Sequence, residues 1–131
     1  MRIDKHLPSA DVMRAESYLI ARGVRPLALL GCIEASEVER IRIRTKLQEH
    51  GDPGAIPFVL ARANGLAEYG YAGAAWAVDL LRWVRTSDTM PAKQAVRIDG
   101  LLLGYSPFAI RDFEDHITGS TLAPPSYRSA G

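Results

Sequence analysis

Cys32 is the only cysteine in the chain and its most obvious nucleophile. A thiol reacts as the thiolate, which needs a nearby cation or base to form near neutrality. The flanking residues Leu29, Leu30, Gly31, Ile33 and Glu34 supply no run of bases, so Cys32 reads as a small buried hydrophobe. Asp79 is a second candidate. It interrupts an apolar helix, where a low dielectric would raise its pKa as in catalytic acids. Arg82, one turn on, is a ready ion-pair partner, and the sequence names no second convergent group. Asp112, Asp115 and His116 suggest metal ligation, with Asp112 and His116 one helical turn apart. Zinc sites usually take three or four ligands, and His6 and His50 lie far off in sequence. The segment therefore reads as a polar helix end, with His116 complementing the dipole. No metal or cofactor is expected, since neither a phosphate loop nor a dinucleotide fingerprint occurs.

Two segments could meet nucleic acid. Arg40, Arg42, Arg44 and Lys46 are interleaved with Glu37, Glu39 and Glu49, a surplus of one positive charge within 36–50. No aromatic residue lies between these bases to stack on single strands. Within 92–117, Gly100, Gly104 and Ile110 fit the loose spacing of a helix-turn-helix, and the segment resembles that motif over about 20 residues. Leu103 falls where that pattern buries an apolar residue. Asp99 does not fit, because the pattern expects an apolar contact there. The would-be recognition helix also sets Arg111 against Asp112, Glu114 and Asp115, which opposes a polyanion. The same residues make a plain helical hairpin closed by Gly104 and Ser106-Pro107.

The elements that must position these residues are marked by caps and periodicity. A helix is expected over 9–23, capped by Ser9, ended by Gly23, and burying Val12, Met13, Leu19 and Ile20. A strand is expected near 24–33. A helix over 36–51 carries the capping box Ser36-x-x-Glu39, with Ile41 and Ile43 about 200° apart around its axis. Asn64-Gly65 predicts a hairpin joining strands near 56–62 and 66–71, with Tyr69 and Tyr71 on one face. Residues 74–85 are apolar nearly all round, which predicts a centrally buried helix lined by Trp76, Leu80 and Trp83. Helices over 92–103, with Pro91 at its first position, and over 108–117, capped by Ser106, complete the set.

The fold class is therefore α+β: a small, mostly antiparallel sheet packed with about five helices, mainly from the second half. An all-α bundle is the alternative. Residues 1–117 are expected to form one compact domain, and 118–131, rich in Ser, Pro and Gly, a flexible tail.

With 16 basic and 15 acidic residues the net charge is +1, which gives no general steering toward nucleic acid or anionic membrane. The N-terminal segment has no apolar core and no run is long enough to span a bilayer, so a cytoplasmic setting is expected. The leading functional expectation is a small non-enzymatic protein that binds another macromolecule, a protein with a basic surface fitting best. Its surface would comprise Tyr105, Phe108, Arg111, Asp112 and Asp115, aromatics beside charges. A second copy of the chain is a further possible partner. The alternative is a nucleic-acid-binding regulator using 92–117 or 36–50. The third reading is an enzyme centred on Cys32 or Asp79.

Overall fold

The computed structural model describes residues 3–115. In chain order these form α1 (Ala10–Ala21), β1 (Leu27–Glu34), α2 (Glu37–His50), β2 (Ile56–Ala61), β3 (Leu66–Ala72), α3 (Ala75–Thr86), α4 (Ala92–Leu102) and α5 (Pro107–Asp115). The strands make one antiparallel sheet in the order β1-β3-β2. The fold is α+β, and the all-helical alternative is excluded. None of the described helices is long and apolar enough to cross a membrane.

Local chemistry sets the boundaries. The Ser9 hydroxyl accepts from the Val12 N–H, and Ser36 and Glu39 form a complete capping box. α1 and α4 both end in Schellman motifs, with Gly23 and Gly104 at φ +77° and +76°. There the Val24 and Tyr105 N–H groups reach back to the Leu19 and Gly100 carbonyls. The β2–β3 hairpin turns through a short 3-10 segment, Ala63–Gly65, with Asn64 and Gly65 both at positive φ. Its closing bond runs from the Arg62 N–H to the Leu66 carbonyl. Pro91 is the cap before α4 rather than its first helical residue.

β3 is the central strand, and its alternation feeds two cores. Ala67, Tyr69 and Tyr71 face α1 and α2, packing with Met13, Ile20, Ile43 and Leu47. Ala72 lies on the opposite face with Leu27, Phe58 and Leu60, against Ala77, Leu81 and Leu102 of α3 and α4. The sheet is thus covered on both faces, one by the first-half helices and one by the second-half helices. The Tyr71 hydroxyl donates to the Leu47 carbonyl at 2.6 Å, satisfying a last-turn acceptor of α2. Asp52 N–H donates to the buried Ser17 hydroxyl at 2.7 Å, fixing α1 to the loop before β2.

Two helices differ from expectation in what they bury, α1 in part, since Met13 and Ile20 are inside as expected. In α1 the buried residues are Met13, Ser17 and Ile20, while Val12 and Leu19 are exposed. Ser17 accounts for this, because its hydroxyl is needed inside to meet Asp52. In α3 the buried side is Ala77, Leu81, Val84 and Arg85, whereas Trp76 and Trp83 are 57% and 52% exposed. α3 is therefore not wrapped in core, although it is apolar nearly all round. Ile43 and Ile41 part as their angular separation requires, one buried and one exposed.

β1 is irregular where its register against β3 shifts between Leu29 and Gly31. Gly70 sits opposite this bulge, and a Cβ there would lie 1.8 Å from the Ala28 carbonyl oxygen. The backbones approach too closely for any side chain. Gly70→Ala is expected to lower unfolding free energy by about 3 kcal/mol, the upper end for overpacking. Urea unfolding measures this, and an unchanged midpoint would show that the bulge relaxes without cost.

Candidate functional site

The densest chemistry lies between β3 and the second helical layer. Glu68 is wholly buried in the middle of β3, on the face opposite Tyr69. Arg85 projects onto it from the buried side of α3. Its Nε and Nη2 donate to the two Glu68 carboxylate oxygens at 2.7 and 3.1 Å, a fork-to-fork pair. Arg85 Nη1 donates to both oxygens of Asp99, on α4, at 3.0 and 2.9 Å. Arg62, at the end of β2, brings its Nη1 to 3.3 Å from Glu68. Two guanidinium groups and two carboxylates thus neutralise one another out of water. Burial opposes the charge of Arg85, but its bonds to Glu68 and Asp99 outweigh this and hold its pKa above the usual value. Burial pushes the Asp99 carboxyl upward, against the pull of Arg85.

Cys32 pairs with Glu68 in the β1–β3 register and is buried beside this cluster. Burial and the Glu68 charge raise its pKa, while Arg62 opposes them. A cation therefore does lie beside the thiol, but it comes from the hairpin rather than from neighbours in sequence. The thiol is held toward its protonated form, the less nucleophilic one. The backbone of the same residue carries a further contact. The Asp4 N–H donates to the Cys32 carbonyl at 2.7 Å, tying the N-terminal arm to the strand. Burial first, and then the Asp4 charge, push the Tyr69 hydroxyl up to about 12.

Asp79 occupies no low-dielectric site. Its side chain is 72% exposed on the outside of α3 and pairs with Arg82 at 3.1 Å. Cys32 and Asp79 therefore lie on different sides of the second layer and share no site. His116 lies outside the described residues, as does the tail over 118–131. Among the described residues no group of three or more His, Cys, Asp or Glu side chains is placed to hold a metal.

The helix-turn-helix-like segment is a close helical hairpin. Ile110 packs onto Gly100, where a Cβ would come within 2.5 Å of its Cγ1. Arg97 on α4 holds Glu114 on α5 through two bonds of 2.7 and 3.2 Å. The Ser106 hydroxyl caps α5 by accepting from Ala109 N–H. Asp99, at the position where the motif wants an apolar contact, is the inward ligand of Arg85. Tyr105 and Phe108 are 48% and 83% exposed, and Arg111, Asp112 and Asp115 are exposed beside them. A shallow groove of about 280 Å³ runs between α4 and α5, lined by Arg97, Leu101, Ile110, Arg111 and Glu114. On α2, Arg42, Arg44 and Lys46 are exposed, while Arg40 is half-buried and donates to the Ala35 carbonyl.

Sequence reasoning missed the Glu68–Arg85–Asp99 cluster. It also missed the exposure of Trp76 and Trp83. One signal covered both. At 100° per residue, Arg85 falls on the arc of Ala77 and Leu81, while Asp79 and Arg82 share the arc of the two tryptophans.

The cluster makes a stability prediction. Arg85→Met leaves Asp99 buried without its guanidinium partner and Glu68 with Arg62 alone, and is expected to cost about 3–5 kcal/mol near neutral pH. The native state already binds the Asp99 proton more tightly than the unfolded chain does. That contribution to stability is present below the ordinary value of 3.8 and is lost as pH rises through the raised one. Removing Arg85 raises Asp99 further, so the deficit of Arg85→Met should shrink on acidification into the carboxylate range. Denaturant unfolding across pH tests this, and a pH-independent deficit would mean that Asp99 is not held as described. No family model, curated protein or solved structure matches this chain.

Proposed function

We propose that this is a small non-enzymatic cytoplasmic protein that works by binding another protein, with the α4–α5 hairpin as its contact surface. The observation that carries this reading is Phe108, which is 83% exposed at the tip of the hairpin. Tyr105 and Leu101, 48% and 60% exposed, extend the apolar area. Exposed aromatics beside charges supply the anchor and rim of protein interfaces. The hairpin itself is held rigid by the Gly100–Ile110 contact and the Arg97–Glu114 pair, so little order has to be gained on binding. The acids Asp112 and Asp115 favour a basic partner surface and oppose a phosphate backbone.

The test is capture and identification of partners with a photo-crosslinking residue at Tyr105, repeated with Phe108→Ala plus Arg111→Glu. The double variant should weaken capture about tenfold, the loss of an anchor worth roughly 1.4 kcal/mol. Its unfolding free energy should stay within about 0.5 kcal/mol of wild type, because both residues are exposed. An undiminished capture removes this surface. Binding of duplex DNA at about 50 mM salt that is lost as salt rises would favour the nucleic-acid alternative instead.

A further inference from the structure

The two outer edges of the sheet are treated differently. On β1 the Asp4 N–H bonds the Cys32 carbonyl, and Asp4 bridges to Ile33, so the N-terminal arm pairs with the end of that edge at Cys32 and Ile33. β2 is the other edge, and the pairing pattern fixes which of its groups face outward. Arg62 N–H donates to Leu66, which continues the β2–β3 register, so hydrogen-bonded pairs fall on the even-numbered residues. Pro57, Val59 and Ala61 therefore turn their backbone groups away from β3. Pro57 has no N–H to offer, and at this position its lack costs the β3 ladder nothing. That leaves three outward carbonyls and the N–H groups of Val59 and Ala61. Among the described residues nothing hydrogen-bonds either N–H.

A cleft of about 570 Å³ opens at the start of the same strand. Its lining is apolar at Leu47, Ala55, Ile56 and Pro57 and polar at Asp52, which pairs with Arg22, while Arg44 stands on its α2 wall. Arg44 is exposed and makes no ion pair among the described residues. A strand laid along β2 would place the side chain opposite Pro57 on the α2 side of the sheet, where the cleft is.

We infer that β2 is a docking edge for an extended peptide segment of a partner protein, which adds as a fourth strand. An apolar side chain fills the cleft, and a neighbouring acidic residue meets Arg44. Main-chain bonds to Val59 and Ala61 provide affinity, while the cleft and Arg44 provide selectivity. This surface is separate from the α4–α5 hairpin, and either can fail without the other.

The probe is a positional-scanning set of short, N-acetylated, C-amidated, fluorescein-labelled peptides, read by anisotropy against the full chain. Amide exchange at Val59 and Ala61 is followed in parallel. Pools carrying an acidic residue next to an apolar one should bind and slow exchange at both amides. Arg44→Glu should weaken binding about tenfold, as loss of a close charge pair does. Val59→Pro removes an outward donor while sparing the β3 ladder, as Pro57 already does, and should abolish binding. Absence of binding by every pool up to about 1 mM overturns the proposal. So does equal binding by wild type and Val59→Pro. Protection already present in the free monomer would mean that the chain itself covers the edge. Protection that grows with protein concentration would mean that a second copy does. Either outcome also overturns it.

Discussion

Arg85 has to be neutral in effect, because it is 2% exposed and cannot lose its proton. An unpaired guanidinium at that depth would undo most of the stability of a domain this size. Glu68 and Asp99 therefore have to be where they are, and this couples three elements. β3 must present an acid on one face while its tyrosines fill the other. α3 must turn Arg85, and with it Ala77 and Leu81, toward the sheet. α4 must bring Asp99 in beside them. Apolar contacts tolerate sliding, since one methyl group serves much like another. The two forks on Arg85 do not, because a shift of α3 along its axis by one turn would break both of them and leave Glu68 with Arg62 alone.

This constraint explains the inversion on α3. The space between sheet and helices is bordered by small residues, Ala72, Ala77, Ala92 and Ala95, all wholly buried. They let α3 and α4 approach closely enough for side chains of Arg, Glu and Asp length to meet. An indole in the same space would overpack it. Trp76 and Trp83 are thus left outside with Asp79 and Arg82, and a charged residue takes the inner arc. Hydrophobicity alone would have ordered these residues the other way.

Much of the architecture was legible in the sequence because it is written in local chemistry. Ser9, the Ser36–Glu39 box, Gly23, Gly104 and Asn64-Gly65 each act within a few residues of themselves, and every element lies close to where they place it. What was not legible depends on pairs far apart in the chain. Glu68, Arg85 and Asp99 come from three elements, and each alone looks like an ordinary surface charge. Asp99 did give a sign, as a misfit in the helix-turn-helix pattern, but its partner could not be inferred from spacing. The cation beside Cys32 was invisible for the same reason, since Arg62 reaches it only across the sheet. Val12 and Leu19 were misplaced because Ser17 has to be inside to meet Asp52, a contact spanning 35 positions.

The buried cluster also bears on how the surface is used. A network whose charges satisfy one another has little capacity left for a ligand, and it holds Cys32 against a thiolate rather than toward one. Its effect is to make the second helical layer rigid on the sheet. α5 inherits that rigidity through α4, since Asp99 and Gly100 are adjacent: one locks α4 inward, and the other seats Ile110 of α5. The exposed aromatic tip at Tyr105 and Phe108 is therefore carried on a stack of fixed contacts that runs back to Glu68 in the central strand. A surface held in this way meets a partner without first having to be ordered, which is the property that binding at a small area depends on most.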